Sequence, residues 1–487
     1  MLVKIATAAT AGIAGAFSFA PNMHWWLMPP ALGTLFYLVK KSNSAYAAAV
    51  SGLAFGFAFF ATGLSWIFEA LNGYIQLPLP AATAIMILLC LALALYPATA
   101  VYAARRIGTG GMIGALTLST CWGLGEWLRG QLFTGFPWLA IGYSQVPISP
   151  LTGWLPVIGI NGVNVLLTLT AALLATLPTL LRRHQIATIF IIIVIFGGGQ
   201  FSRSIKWTQP AGEIRISLLQ GNVAQTLKWR DGEIKRAMMD YLRLAKESDG
   251  QLVILPETAI PMRQRDIPVD YLEALRQIAA TRNGVVLSGM FVDDGGLHNA
   301  AVAIEPTGIG NDYRKRHLTP YGEYLPFASL LAPILLAADI PYMSLQAGNQ
   351  KSSLSFLNTH AGISICYEDA FGDEWRHQLP EARFLINITN DGWFDGSAML
   401  AQHRQLSQAR AVEFGRWLAR ATNTGSTAVI DHNGHIAATL PLQKQGTLNA
   451  TIMQRTGTTP YVQFGDWPVL LLILGWLAAA IWRKLAH

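Results

Sequence analysis

Charge is what this sequence has least of. Only 13% of its 487 residues are Asp, Glu, Lys or Arg, while 52% are hydrophobic, and the mean hydropathy is +0.35. Soluble domains carry about 25% charge, so a soluble globular chain is excluded and a membrane protein is expected. Cysteine is scarce as well. Cys90, Cys121 and Cys366 form no CxxC and suggest no disulfide framework. The sequence has no G-x-S-x-G elbow, no H-E-x-x-H and no P-loop. It has no basic, aromatic-rich patch for nucleic acid. Its ten histidines lack metal-ligand spacing. His432 and His435, at i and i+3 in Asp-His-Asn-Gly-His, read as a solvated hairpin turn rather than a zinc site. No internal repeat or low-complexity tract is found, and neither a metal nor a cofactor is implied.

Long apolar runs are present in number. Seven fill the first 200 residues, at 3–20, 24–40, 47–69, 81–103, 111–128, 157–180 and 186–201, and an eighth stands at 467–482. Each is close to the roughly 20 residues that cross about 30 Å of hydrocarbon. Pro29-Pro30 makes the second the weakest. The first leads directly into further spans and reads as a retained helix, not a signal peptide. Lys4, Lys40-Lys41, Arg105-Arg106, Arg182-Arg183 and Arg483-Lys484 fall before span 1 and after spans 2, 4, 6 and 8. These positions share one side, which the positive-inside rule makes cytoplasmic. Both termini are then expected in the cytoplasm and the segment after span 7 outside it. Trp25-Trp26, Trp66, Trp127, Trp138, Trp467 and Trp482 lie where an aromatic belt would anchor the span ends.

Residues 209–462 are different. Charge rises, and short apolar runs at 214–220, 252–255, 285–291, 300–304, 362–366, 384–388 and 427–430 read as strands. Patterns at 235–248, 271–281 and 401–419 read as helices. This is a mixed α/β domain of ordinary size. Its oddest segment, 325–342, carries no charge before Asp339. It reads as a core helix with its flanks or as a lid dipping into the membrane surface.

The chemistry is placed at Gly362-Ile363-Ser364-Ile365-Cys366-Tyr367-Glu368-Asp369, a strand ending in a thiol beside carboxylates. Cys366 is either an inert buried cysteine or a nucleophile presented at a sheet rim. Two other features accompany it: Leu255-Pro256-Glu257-Thr258, and Tyr313-Arg314-Lys315-Arg316-His317 followed by Pro320-Tyr321-Gly322-Glu323-Tyr324. Taken singly, Glu257 reads as a surface or capping carboxylate, Lys315 as part of a solvated basic run and Glu323 as turn chemistry. Together they make a sufficient set. A thiol with pKa near 8.5 needs a base or cation to react near pH 7. A carboxylate raised by burial can take its proton, and an ammonium can hold an oxyanion.

The order Glu257, Lys315, Cys366, inside LPET, YRK and ICYED, resembles the Glu-Lys-Cys constellation of the nitrilase superfamily. Glu126-Trp127-Leu128-Arg129, Phe133-Thr134-Gly135-Phe136-Pro137-Trp138, Leu219-Gln220-Gly221-Asn222, Pro320-Tyr321-Gly322-Glu323 and Asn390-Asp391-Gly392-Trp393-Phe394 narrow it. The chain as a whole resembles the apolipoprotein N-acyltransferase family of bacterial lipoprotein maturation. Asp369 after Cys-Tyr-Glu and His317 in the basic run are small departures. The resemblance implies an eight-span α-helical membrane bundle carrying an extracytoplasmic nitrilase-like α-β-β-α sandwich. The parts are 1–207, 208–462 and 463–487, in the bacterial inner membrane with the catalytic domain in the periplasm.

It further implies transfer of an acyl chain from a phospholipid, usually phosphatidylethanolamine, to the N-terminal amine of a diacylglyceryl-cysteine on an apolipoprotein. Cys366 would be the nucleophile and form a thioester. Glu257 would be the general base and acid, and Lys315 the oxyanion cation. Glu323, Tyr367 and Glu368 would support the site, with Trp229 and Trp393 near substrate. Glu126 and Arg129, at a span end, are either interfacial charges or contacts to a lipid head group or the catalytic domain. The rivals are a membrane-tethered nitrilase-type amidase, which would admit water to the same three residues, and a transporter with an extracytoplasmic binding domain. The spans carry almost no mid-membrane charge and no repeat, which disfavours the transporter.

Overall fold

The computed structural model describes residues 1–225, 228, 231–329, 332–333 and 344–486. The expectations for Trp229 and for most of 325–342 fall outside these residues. The chain forms two compact units. The first is Met1–Trp207, Gly396–Phe414 and Thr459–His487; the second is Thr208–Asp395 and Gly415–Thr458.

The first unit is helical. Before residue 208 it contains α1 (Leu2–Ala16), α2 (Met28–Lys40), α3 (Ala45–Gly63), α4 (Ser65–Glu69), α5 (Leu79–Ile107), α6 (Gly111–Arg129), α7 (Leu155–Thr176) and α8 (Arg182–Ser202). The run expected at 24–40 is helical only from Met28, after a 3-10 turn at Trp25–Leu27; Pro29 and Pro30 sit in the first α-helical turn, where no N–H is needed. Among the described residues, five stretches are long and apolar enough to cross a membrane: Ala45–Gly63, Leu79–Ile107, Pro150–Thr179, Arg182–Ser202 and Trp467–Leu485. Small residues let α3 and α5 touch backbone to backbone. A Cβ on Gly52 would lie 2.9 Å from the Cα of Ala98, and one on Gly56 3.0 Å from that of Ala94.

The second unit is two facing six-stranded sheets. The first has the order β12-β1-β2-β3-β4-β5 and the second β11-β10-β9-β8-β7-β6. Their strands are β1 (Thr208–Gln220), β2 (Leu252–Ile254), β3 (Val285–Asp293), β4 (Leu297–Glu305), β5 (Gly308–Arg314), β6 (Leu354–Phe356), β7 (Thr359–Ile365), β8 (Phe384–Thr389), β9 (Leu418–Thr422), β10 (Ala428–Ile430), β11 (Ile436–Thr439) and β12 (Gly446–Gly457). Among the described residues, this unit holds α9 (Asp231–Glu247), α10 (Val269–Thr281) and the short α11 (Gly372–Arg376). The period of two sorts the residues. Ile216, Leu218, Leu252, Ile254 and Leu287 face Ile363, Ile365, Phe384, Ile386 and Ile388 between the sheets. Leu219, Val253, Leu255 and Val286 point outward onto Tyr241, Leu242, Leu275 and Ile278 of α9 and α10. β1, β2 and β3 are mutually parallel, as are β7, β8 and β9. Their C-terminal ends carry the loops of the site.

The helix expected over 401–419 is shorter. It runs as α12 (Met399–Phe414), then Gly415 turns at φ +59°, and residues 418–422 form β9. Positive φ suits glycine and stops the helix. Although α12 lies in sequence between β8 and β9, it packs within the first unit, as do α13 (Pro460–Phe464) and α14 (Trp467–Leu485). Its polar side chains are buried. Gln402 Oε1 accepts from the indoles of Trp66 and Trp138 at 3.1 and 2.8 Å. Gln405 bridges Ala20 N–H and the Val146 carbonyl. Glu413, paired with Arg410 at 3.0 Å, accepts from Ile160 N–H at 2.8 Å. That N–H is freed where α7 breaks at Gly159, φ +61°, a position where a Cβ would meet the Tyr461 ring at 2.3 Å.

Candidate active site

Glu257 stands three residues beyond β2. Its turn is held from three sides. Ile260 N–H donates to the Gly289 carbonyl at 3.1 Å. Gly289 itself lets the turn approach, since a Cβ there would lie 2.5 Å from Pro256 O and 2.6 Å from the Cα of Glu257. Thr258 adopts φ +46°, and the buried Lys228 amine donates to the Thr258 hydroxyl and to the Glu257 carbonyl. The carboxylate is then fixed at both oxygens. Oε1 accepts from Asn299 Nδ2 at 2.7 Å, and Oε2 from the backbone N–H of Asn390, beyond β8, at 2.8 Å.

Lys315 follows β5, and its N–H donates to the carbonyl of Asn299 on β4 at 2.8 Å. Its ammonium is 1% exposed, 2.7 Å from Glu323 and 3.6 Å from Glu257. Asn299 Nδ2 also donates to Glu323 at 2.8 Å, and Thr319 N–H donates to the other Glu323 oxygen at 2.8 Å. Two carboxylates and one ammonium are thus joined through one amide. Burial alone would lower the Lys315 pKa, but Glu323 and Glu257 outweigh it and hold the amine protonated well above its ordinary value. Burial works in the opposite sense on Glu323, and Lys315 brings that carboxyl below its usual range.

Cys366 comes directly after β7 and opens the 3-10 turn Cys366–Ala370 with φ +53°. A non-glycine residue in the left-handed region is strained and persists because its surroundings hold it. The brace is Glu368. Its carboxylate accepts from the N–H groups of Ile365 at 2.7 Å, Arg316 at 2.7 Å and His317 at 3.0 Å, and from the Tyr313 hydroxyl at 3.1 Å. One side chain therefore ties the turn of the thiol to the residues after Lys315. Burial pushes Glu368 up to about 7, against the pull of those N–H groups and Lys315. The thiol is pushed far above its ordinary pKa, by burial first and then by Glu257, while Lys315 opposes the rise. The resting sulfur is a neutral thiol inside the field of both groups. Reaction must remove its proton in the attacking step.

Glu257, Lys315, Glu323 and Glu368 are buried, and the half-buried Cys366 belongs to the same cluster. Tyr367 is buried beside Phe371, ring centroids 5.1 Å apart. Trp393, on the loop that begins with Asn390, is 40% exposed. Glu126 and Arg129 lie in the first unit. Arg129 pairs with Glu126 at 2.6 Å, and its guanidinium donates to the carbonyls of Phe136 and Trp138. Both side chains are buried, and every partner named here lies in the same unit. Sequence reasoning missed Asn299, Lys228 and the N–H of Asn390. A lone asparagine within an apolar strand was the available signal for the first; a backbone donor leaves none.

The residue set can deprotonate a thiol, stabilise an oxyanion and pass an acyl group through sulfur. Comparisons agree. Residues 11–173 match the apolipoprotein N-acyltransferase N-terminal domain and residues 215–461 the carbon-nitrogen hydrolase family. The apolipoprotein N-acyltransferase of Nitrosomonas europaea is 38% identical over 497 residues, 99% of this chain and 98% of that one. That of Chromobacterium violaceum is 38% identical over 491 residues, 98% and 95% of the two chains. A solved Nesterenkonia AN1 amidase of the nitrilase superfamily aligns with TM-score 0.37 at 18% identity, over 53% of this chain and 97% of its own. The chain is therefore a multi-pass membrane acyltransferase and belongs to the apolipoprotein N-acyltransferase family of the nitrilase superfamily.

Proposed function

We propose that the protein transfers an acyl chain from a phospholipid, phosphatidylethanolamine in the first instance, to the N-terminal amine of a diacylglyceryl-cysteine on an apolipoprotein. The observation that carries this reading is the convergence of Glu257 and Lys315 on the Cys366 thiol. In the first half-reaction Glu257 takes the thiol proton and sulfur attacks the lipid ester carbonyl. The oxyanion is held by the Lys315 ammonium and a backbone N–H after Cys366. As the tetrahedral adduct collapses, Glu257 returns the proton to the departing glycerol oxygen. Lysophospholipid leaves and the acyl group remains as a thioester. In the second half-reaction the neutral amine attacks the thioester and gives its proton to Glu257. The sulfur leaves as thiolate and is reprotonated. Two bulky substrates need not bind together, and ping-pong kinetics follow.

Glu323 holds the Lys315 ammonium in place, Glu368 sets the Cys366 turn, and Tyr367 and Trp393 border the substrate. The functional parts are 1–207, 208–462 and 463–487, with eight spans, both termini cytoplasmic and the catalytic domain on the periplasmic face of the inner membrane. The placement of the basic residues supports that orientation.

Incubating the protein with phosphatidylethanolamine and no acceptor, then weighing the Cys366 peptide, tests the reading. A fatty-acyl increment removable by hydroxylamine and absent in Cys366→Ala is expected. An unmodified peptide beside intact lipid would sink the acyltransferase chemistry and favour small-amide hydrolysis.

A further inference from the structure

Behind the thiol lies a buried polar cluster that the proton transfers above do not use. β7 and β8 are parallel, with Ile365 opposite Ile388. One step beyond that pair, Cys366 and Thr389 are neighbours at the strand ends, and the Thr389 hydroxyl lies within hydrogen-bonding reach of the sulfur. The same hydroxyl donates to Asp391 Oδ1 at 3.1 Å. The other oxygen of Asp391 accepts from Arg420 at 3.0 Å. Arg420 also holds Asp369 at 3.0 Å and Asn387 at 2.7 Å, and Asn387 reaches the Cys366 carbonyl at 3.4 Å. Thr389, Asp391, Asp369, Asn387 and Arg420 are fully buried.

A hydroxyl has one proton, and this one has two neighbours able to accept it. Asp391 is the better acceptor while sulfur is a thiol or a thioester. A thiolate reverses that preference, because a charged acceptor makes the stronger bond. We propose that Thr389 is a further catalytic residue whose hydroxyl rests on Asp391 and turns to the Cys366 sulfur whenever that sulfur is a thiolate. Asp391, anchored by Arg420, is the positioning residue that parks the hydroxyl between turnovers. The thiol proton still goes to Glu257, and Thr389 keeps its own throughout, so no net proton passes through it. On the thioester reading, thiolate forms twice per cycle, as nucleophile and as leaving group, so one hydroxyl serves both half-reactions. The charged groups bearing on the sulfur are Glu257 and Asp391, which oppose its ionisation, and Lys315, which favours it. Glu368 and Asp369 follow on the same turn, and Arg420 faces the two aspartates.

The test reads the thiol directly and needs no lipid. Full-length protein in detergent is alkylated with iodoacetamide at one pH well below the thiol pKa, where the rate follows the thiolate fraction, and the labelled Cys366 peptide is weighed over time. Thr389→Val should slow alkylation about tenfold, the size of a hydrogen bond to a charged group. Thr389→Ser should retain the parent rate, and Asp391→Asn, which releases the hydroxyl and removes a facing charge, should raise it. A structural threonine would cost stability in T389V and leave the rate alone, and that result overturns the proposal. If T389V does not accumulate, an unchanged or lowered rate in D391N overturns it equally. Failure of the parent to acquire an acyl group would count against the acyltransferase reading alone, since the change in alkylation rate stands without it.

Discussion

Replacing Lys315 with methionine should slow acylation of Cys366 by at least about 10³-fold, a barrier rise of about 4 kcal/mol. Two effects combine. Loss of one oxyanion donor costs about 10²–10³. The second follows from the cluster: with the ammonium gone, Glu257 and Glu323 remain buried and joined through Asn299, at 2.7 and 2.8 Å, with no cation between them. Like charges force one carboxylate to bind a proton, and a protonated Glu257 cannot take another from the thiol. K315M also breaks a pair that is 1% exposed on the lysine side, which costs about 3–5 kcal/mol in stability. The single variant therefore mixes unfolding with lost chemistry. K315M/E323Q removes one charge of each sign and should recover most of the stability while acylation stays about 10²–10³ below the parent. The rate is read from the mass of the Cys366 peptide after timed exposure to phosphatidylethanolamine. Acylation by the double variant within about tenfold of the parent would reduce Lys315 to a counter-ion for Glu323 and refute its role at the oxyanion.

Gly289→Ala places a Cβ 2.5 Å from Pro256 O. It should displace Glu257 and lower acylation by about 10²-fold; an unchanged rate would show that the turn tolerates movement. Arg129→Met leaves Glu126 buried without its partner and should cost about 3–5 kcal/mol, read as a lower unfolding temperature in detergent. R129M/E126Q should restore it. Unaltered unfolding with weaker lipid binding would instead return Arg129 to a head-group role. Burial lowers Lys228 to about 8 despite the opposing pull of Glu257, against about 10.4 in an unfolded chain. The folded protein therefore gives up this proton first. Its stability relative to Lys228→Met should be level below about pH 8, then rise by about 1.4 kcal/mol per pH unit towards 10.4. A pH-independent difference between the two unfolding curves would refute the assignment.

The central strands were legible because parallel strands buried on both faces read as unbroken apolar runs. Val285–Asp293 and Phe384–Thr389 are of this kind. Gly308–Arg314 was not, since Gly-Ile-Gly-Asn-Asp-Tyr-Arg is largely exposed and carries no apolar run. Gly446–Gly457 is similarly half-exposed. The helix expected over 401–419 overran Phe414 because the helical pattern was read as continuous across Gly415. Glu257, Lys315 and Cys366 could be picked out because their residue types suffice for one chemistry. What holds them is mostly backbone, such as the N–H of Asn390 and the three N–H groups on Glu368, and backbone donors leave no trace in residue identity.

The helix Met399–Phe414 bears on how the molecule can be cut. A fragment spanning 208–462, made to obtain the hydrolase part as a soluble enzyme, would retain this helix but lose Trp66, Trp138, Val146 and Ile160, to which Gln402, Gln405 and Glu413 are bonded. Each orphaned buried group costs about 1–3 kcal/mol, a sum comparable with the roughly 5–15 kcal/mol that holds a domain together. Excision should therefore give an aggregating product, and sequence order is a poor guide to truncation. A trimmed enzyme would have to replace residues 396–414 with a short linker, not merely shed the hydrophobic ends.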